Sequence, residues 1–237
     1  MEEVMNSHRS RRHRDAKLNH IEAEISATRE ARKIDEEDVH MWKWRSGFKK
    51  CFSTRETWML IREERPKCEW AKGVWFPQAT TKYAFITWLA MHNRLATGDR
   101  MMKWNQQPNT ACVLCQAPME TRNHLFFHCR YSKQVWGKLM KGILQNKYTT
   151  DWNQLGQLAT HETLDHRSQL LLRYTLQATV HSLWRERNNR RHGEEPTTYQ
   201  KLSKHIDKTI RNRLSILRNS GDKKYEDILM FWFATRN

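Results

Sequence analysis

Between residues 112 and 129 the chain reads CVLCQAPMETRNHLFFHC, a window holding three of its five cysteines and two of its twelve histidines. No other stretch constrains the fold as strongly, because side chains that share one ion must converge on a point, and that dictates the turns between them. As ligands the residues give Cys112-x2-Cys115-x8-His124-x4-Cys129. Two cysteines separated by two residues can reach one ion from a single tight turn, and amides inside that turn can donate to the thiolates. Three sulfurs and one imidazole nitrogen suit tetrahedral Zn²⁺ and fill all four positions, which points to one closed, structural zinc without a place for water or substrate. Such a cross-link offsets the chain entropy that a short irregular loop does not recover by burial. His128 adjoins Cys129 and can take its place as fourth ligand, although thiolate is the softer donor. Two further readings stay open: small buried thiols with surface histidines, and a redox Cys-x-x-Cys, for which the flanking Pro108 and Pro118 replace the expected strand and helix.

The remaining pattern is mainly helical. Residues 1–38 mix both charge signs with a faint stripe of Leu18, Ile21 and Ile25, which predicts a disordered or marginally helical tail whose acidic run Glu36-Glu37-Asp38 is solvated. Apolar and polar residues alternate on both sides of Ser46-Gly47, predicting a small hairpin near residues 40–52. Ser53-Thr54-Arg55-Glu56 has the form of a capping box, and the helix it starts stops before Pro66. The stretch from Thr80 or Thr81 to Leu95 is apolar nearly all round, as a helix buried in the core is. Thr97 caps a short helix through Trp104, with Asp99 in its first turn. Val135, Trp136, Leu139 and Ile143, and then Leu172, Leu176, Val180, Leu183 and Trp184, recur at helical intervals until Gly193 and Pro196 interrupt them. From Thr197 to about 218, Tyr199, Leu202, Ile206, Ile210, Leu214 and Leu217 share one face and Lys201, Lys204, Lys208, Arg211 and Arg218 another. Tyr225 to Phe233 closes the chain as an apolar helix or strand. The predicted fold is a helical bundle-like domain with a hairpin and a zinc-knuckle loop, followed by basic helices. It divides into a tail (1–38), a zinc-binding domain (39–145) and a basic helical region (150–237).

Charge decides the partner class. Lysine and arginine exceed aspartate and glutamate by 42 to 26, a formal net charge of +16 on 237 residues, and such a surface attracts polyanions. RNA or single-stranded DNA is the expected partner, met by Arg185, Arg187, Arg190 and Arg191 and by the lysine and arginine stripe of the following helix. The run Arg9 to Arg14 is a nuclear-import patch, an RNA-contacting arm or a solvated tail. Most of the eleven tryptophans sit in apolar patterns and are assigned to the core. An odd number of clustered cysteines without a secretory leader argues against a disulfide framework and for an intracellular protein of nucleus or cytoplasm. Cys51 and Cys68 read as ordinary thiols. The longest apolar run, Tyr83 to Met91, is too short to span a bilayer. No small-molecule substrate site is recognisable.

Residues 70 to 139 closely resemble the zinc-binding region that follows the polymerase domain in plant non-LTR (LINE-type) retrotransposon reverse transcriptases. The resemblance rests on Trp75-Phe76-Pro77, Phe85-x-x-Trp88-Leu89, Asn93-Arg94-Leu95-x-Thr97, Asp99-Arg100, Trp104, Cys112-x-x-Cys115, His124-Leu125-Phe126 and Cys129, and flanking segments extend it to roughly residues 39–237. It implies the metal-ligand role for Cys112, Cys115, His124 and Cys129, with Cys129 preferred to His128. Gln116 departs from the small residue often found after the second cysteine, and costs roughly 1–2 kcal/mol if the backbone there is left-handed. A reverse transcriptase holds two divalent cations on paired aspartates, but the sequence contains no Asp-Asp dipeptide. The expectation is therefore a detached C-terminal piece of a retroelement polyprotein, beginning at its own Met1, that binds nucleic acid without polymerase activity. The alternative is a structural or protein-interaction relic in which zinc only holds the fold.

Overall fold

A computed structural model of the chain describes residues 8, 9, 11–31, 40–45, 47–63, 66, 68–104 and 109–236. The acidic run Glu36–Asp38, Ser46 of the expected turn and Pro108 lie outside them. The chain forms two compact units, Met1–Pro66 and Lys67–Asn237. This corrects the division at 145–150: helices from both sides of that boundary pack on one another in the second unit, so the basic region is part of the zinc-bearing body.

In the first unit, helix α1 (Ala16–Ala31) buries no residue, as its weak apolar stripe predicts. Strand β1 (Trp42–Trp44) pairs antiparallel with β2 (Gly47–Lys49), Trp42 opposite Lys49 and Trp44 opposite Gly47. Gly47 takes a φ of +132°, which few other residues tolerate. Helix α2 (Thr54–Ile61) begins at Ser53, whose hydroxyl accepts from the Glu56 amide at 3.3 Å. The expected capping box is only half made, because the Glu56 carboxylate takes the Lys49 ammonium at 2.7 Å instead of reaching back.

The second unit contains α3 (Ala71–Val74), α4 (Thr81–Met91), α5 (Gly98–Met101), a π turn (His124–His128), α6 (Arg130–Leu144), α7 (Trp152–Thr160), α8 (His166–Arg191), α9 (Tyr199–Asn219) and α10 (Ile228–Ala234). Side-chain caps start the later helices: Asp151 accepts from the Gln154 amide at 2.8 Å, Asp165 from the Arg167 and Ser168 amides at 3.1 Å, and Thr198 from the Lys201 amide at 3.3 Å. The expected Thr97 cap is not made, since its hydroxyl donates to the Asp99 carboxylate at 2.6 Å.

Helix α8 is the central element. Leu170, Leu171, Leu172, Tyr174, Leu176, Ala178, Val180 and Leu183 are buried along it, and α4, α6 and α9 pack around it. Its buried glutamines bond to main chain of other elements, Gln177 Nε2 to the Val74 carbonyl at 2.7 Å and Gln169 Nε2 to the Leu158 carbonyl at 2.9 Å. The apolar sequence of α4 predicts all-round burial for that helix, but the structure gives it to residues 168–180 of α8 instead, where Arg173 alone is partly exposed. On α4 only Ala84, Thr87 and Ala90 are buried, because small residues allow close approach to α8, while Phe85 remains half-exposed and stacks on Trp88 at 5.7 Å between ring centroids. Tryptophan burial is likewise narrower than expected. Trp136, Trp152 and Trp232 are buried, whereas Trp58, Trp75 and Trp104 are exposed. No helix among the described residues is long and apolar enough to cross a membrane.

Candidate metal centre and the basic helices

The window from 109 to 129 folds back on itself. The Cys112 amide donates to the Ala117 carbonyl at 2.8 Å and the Gln116 amide to the Cys112 carbonyl at 2.7 Å, which closes the tight turn that Cys-x2-Cys requires. Gln116 sits at φ +64°, the left-handed conformation anticipated for it. Thr121 then accepts from the His124 amide through its hydroxyl, at 3.1 Å, and starts the next turn. That turn is of the π type: the Cys129 amide donates to the His124 carbonyl, five residues back, at 2.6 Å. In an α-helix residues five apart lie well round the cylinder, whereas the wider turn stacks His124 and Cys129 one above the other, on the same side. Leu125, Phe126 and Phe127, between the two ligands, are completely buried. Phe126 and Phe127 pack on Trp152 at 5.6 and 5.8 Å, so the turn that carries His124 and the buried Cys129 is anchored in the core.

Cys112, Cys115, His124 and Cys129 place one donor atom each within 4.8 Å of all the others. Cys112 Sγ lies 4.0 Å from Cys129 Sγ, and Cys115 Sγ 3.2 Å from His124 Nε2. A tetrahedral zinc with ordinary bond lengths needs separations of about 3.8 Å between sulfurs and about 3.6 Å between sulfur and nitrogen. The residues fit, and the cluster can hold one zinc ion with no position left over. His128 is exposed and stands outside the cluster, which resolves the fourth ligand in favour of Cys129. Cys51 and Cys68 are exposed thiols elsewhere.

The electrostatics differ from donor to donor. The Cys129 thiol is held below its ordinary range, first by a hydrogen bond from Cys112 and then, against burial, by the Ser132 and Tyr131 amides at the start of α6. The same bond and burial push the Cys112 thiol up, opposed by the Leu114 and Cys115 amides. Burial lowers the pKa of His124, which keeps the imidazole in the neutral form a metal requires.

The arginines at the end of α8 hold this loop. Arg187, 4% exposed, donates Nε and Nη2 to Glu120 Oε1 at 3.0 and 2.7 Å and Nη2 also to the Ala96 carbonyl at 2.8 Å, while Glu120 is completely buried. Arg190 Nη1 reaches the Val113 carbonyl at 3.5 Å and its Nε the Glu186 carboxylate at 2.8 Å. Arg191 Nη2 donates to the Asn109 carbonyl at 2.7 Å. Gly98 completes the clamp, because a Cβ there would meet the Thr110 carbonyl oxygen at 2.5 Å, and the Asp99 amide donates to the Glu120 carbonyl at 3.0 Å. The assignment of Arg187, Arg190 and Arg191 to nucleic acid is therefore corrected: their guanidinium groups are taken up by the loop and by carboxylates within the fold. Glu120 and Thr121 escaped the sequence reading. A threonine before the turn is a general capping residue, whereas nothing near Glu120 points to a partner 67 residues away.

The other candidates lie on the surface. Arg185, Lys201, Lys204, Lys208 and Arg218 are exposed and make no ion pair among the described residues. Arg211 is paired with Asp207 at 2.9 Å. One side of α9 borders a groove of about 840 Å³ that Lys138, Lys141, Lys204, Arg211 and Arg236 line, with Asp207 as the one carboxylate among the described residues there. The other side borders a pocket of about 560 Å³ between α4, α8 and α9.

Residues 52–136 match the family model described as zinc-binding in reverse transcriptase. No curated protein and no solved structure matches the chain. All four clustered donors fall inside the matched segment, so the chain carries a zinc-binding domain of the reverse-transcriptase type, of mainly helical fold.

Proposed function

We propose that this chain is a zinc-stabilised module that binds RNA or single-stranded DNA through the phosphate backbone, with no polymerase activity of its own. One observation carries the reading. Lys201, Lys204, Lys208 and Arg218 run along the exposed crest of α9 without carboxylate partners among the described residues, and Lys138 and Lys141 line the larger groove together with Lys204. In this account the zinc makes no contact with the ligand; it fixes the loop that α8 clamps, and α8 in turn supports α9. The finer ancestry, a plant LINE-type polyprotein, is supported by the residue pattern around the ligands and belongs to the same proposal, as does residence in nucleus or cytoplasm.

With about four to six phosphate contacts, affinity for a single strand falls roughly 50- to 300-fold between 50 and 200 mM salt. Charge reversal tests the site directly. In Lys204→Glu/Lys208→Glu, filter retention of a single-stranded RNA is lost while the melting temperature and zinc content stay at their starting values. Unchanged retention sinks the reading, and primer extension by the purified chain would refute its non-catalytic part.

The arginine clamp favours a second reading, because it shows that part of the excess positive charge serves the fold. If the α9 lysines are simply solvated, the chain is a structural or protein-interaction scaffold, and the same charge reversal leaves RNA retention untouched.

A further inference from the structure

The pocket between α4, α8 and α9 stands apart from the zinc loop and from the larger groove. Three elements distant in sequence bring cations to it: Lys82 from α4, Arg185 from α8 and Lys201 from α9. None of the three makes an ion pair among the described residues. Among the described residues the one carboxylate in the lining, Glu186, is already taken by Arg190 at 2.8 Å and the Thr197 amide at 2.8 Å. On the pocket wall the rings of Tyr83 and His181 lie 4.7 Å apart. His181 responds to the field there: burial lowers its pKa, and the nearby Lys82 and Arg185 lower it further.

Convergent cations with no internal counter-charge raise one another's energy, and an anion seated among them relieves it. Lysine supplies a point charge and arginine a planar fork, the pairing that recognises phosphate oxygens. A volume of about 560 Å³ lies within the range of sites for small organic ligands and exceeds what a bare inorganic ion needs. The Tyr83 ring, 4.7 Å from His181, already holds the Lys82 ammonium 5.3 Å from its centroid, so the aromatic wall and a phosphate-binding cation stand side by side, the arrangement a nucleotide's base and phosphate need.

We propose that this pocket binds the phosphate of a nucleotide, through Lys82, Arg185 and Lys201, with the base against Tyr83 and His181. The phosphate comes either from a free mononucleotide or from the 5′ end of a strand lying on α9. The second source rests on the nucleic-acid reading above, whereas the first does not.

The test uses the full chain loaded with zinc and three probes: AMP, adenosine, and a short single-stranded RNA with either a 5′-phosphate or a 5′-hydroxyl. AMP should bind saturably and adenosine should not. Bound AMP neutralises Lys82 and Arg185, so the His181 ring, followed by NMR, should titrate at higher pH than in the free protein. In Lys82→Gln/Arg185→Gln, AMP binding should weaken by about tenfold or more with zinc content unchanged, and Lys82→Gln alone should give a smaller loss of the same kind. The 5′-phosphorylated RNA should outcompete the 5′-hydroxyl RNA for the wild-type chain only. Equal binding of AMP and adenosine, or AMP addition that leaves His181 unmoved, overturns the pocket. RNA retention that is indifferent to the 5′ group, with no AMP binding, also overturns it while leaving the α9 reading intact. AMP binding without RNA retention keeps the pocket and removes that reading.

Discussion

Replacing Glu120 separates the fold's use of positive charge from its use in binding. Glu120 is completely buried and Arg187 nearly so, and the guanidinium has lost its water in exchange for one carboxylate oxygen, the Ala96 carbonyl and the Asn188 side chain. Glu120→Leu takes away the charge partner and leaves a buried cation, for which losses of about 3–5 kcal/mol are usual. For a chain of this size that amounts to a fall in melting temperature of roughly 6–20 °C. An exposed neighbour such as Lys208→Ala changes stability by no more than about 0.5 kcal/mol. Pairing Glu120→Leu with Arg187→Met removes both charges and restores most of the loss, because an apolar pair of similar volume avoids the desolvation penalty. Urea unfolding followed by tryptophan fluorescence at fixed free zinc gives the four corners of the cycle. The double variant should also retain RNA as well as the parent. If it folds, keeps its zinc and yet no longer retains RNA, Arg187 is a nucleic-acid contact and the clamp account is refuted.

Two further outcomes follow from the same geometry. The pKa of His181 is depressed below the ordinary histidine value of 6.5, first by burial and then by the nearby Lys82 and Arg185. A depressed folded-state pKa means that the unfolded chain binds the extra proton, so stability is fully present above pH 6.5 and is lost as the pH falls through the folded value. Chemical denaturation measured at steps below pH 6.5 should show this decline, and His181→Gln should flatten part of it; a midpoint that stays constant to pH 5 would contradict it. At Gln116, held at φ +64°, glycine relieves a left-handed backbone worth roughly 1–2 kcal/mol but adds freedom to the unfolded chain worth roughly 0.5–1 kcal/mol. Gln116→Gly should therefore raise stability by up to about 1.5 kcal/mol in the same urea titration, with zinc bound as before, and any destabilisation counts against the backbone argument.

The ligand set was legible because a metal site is local: spacing within eighteen residues decides which donors can meet. Only His128 competed, and the π turn, which no residue pattern in HLFFHC announces, decides against it. Helix faces with strong apolar periodicity, as in α6 and α9, were equally readable. Two things were hidden. Helix α8 is buried all round over most of residues 168–180, but Gln169, Thr175, Gln177 and Thr179 give it a polar sequence, and the side-chain amides of Gln169 and Gln177 are matched only by carbonyls that other elements present. The arginines at its end look like a polyanion site, since basic clusters in sequence do not reveal whether a carboxylate or a carbonyl waits across the fold. Arg187 and Glu120 are 67 residues apart, and only the packing of the zinc loop against α8 brings them together.

The central claim is that one closed Cys3His zinc site holds the loop that the arginines at the end of α8 clamp. Metal content per chain, measured on the purified protein and on Cys115→Ser, tests it most directly. One zinc per parent chain, lost in the variant together with native tryptophan fluorescence, is the predicted result. A parent chain that is fully folded with far less than one zinc, or a Cys115→Ser chain that loses the metal and keeps its fold, would contradict it.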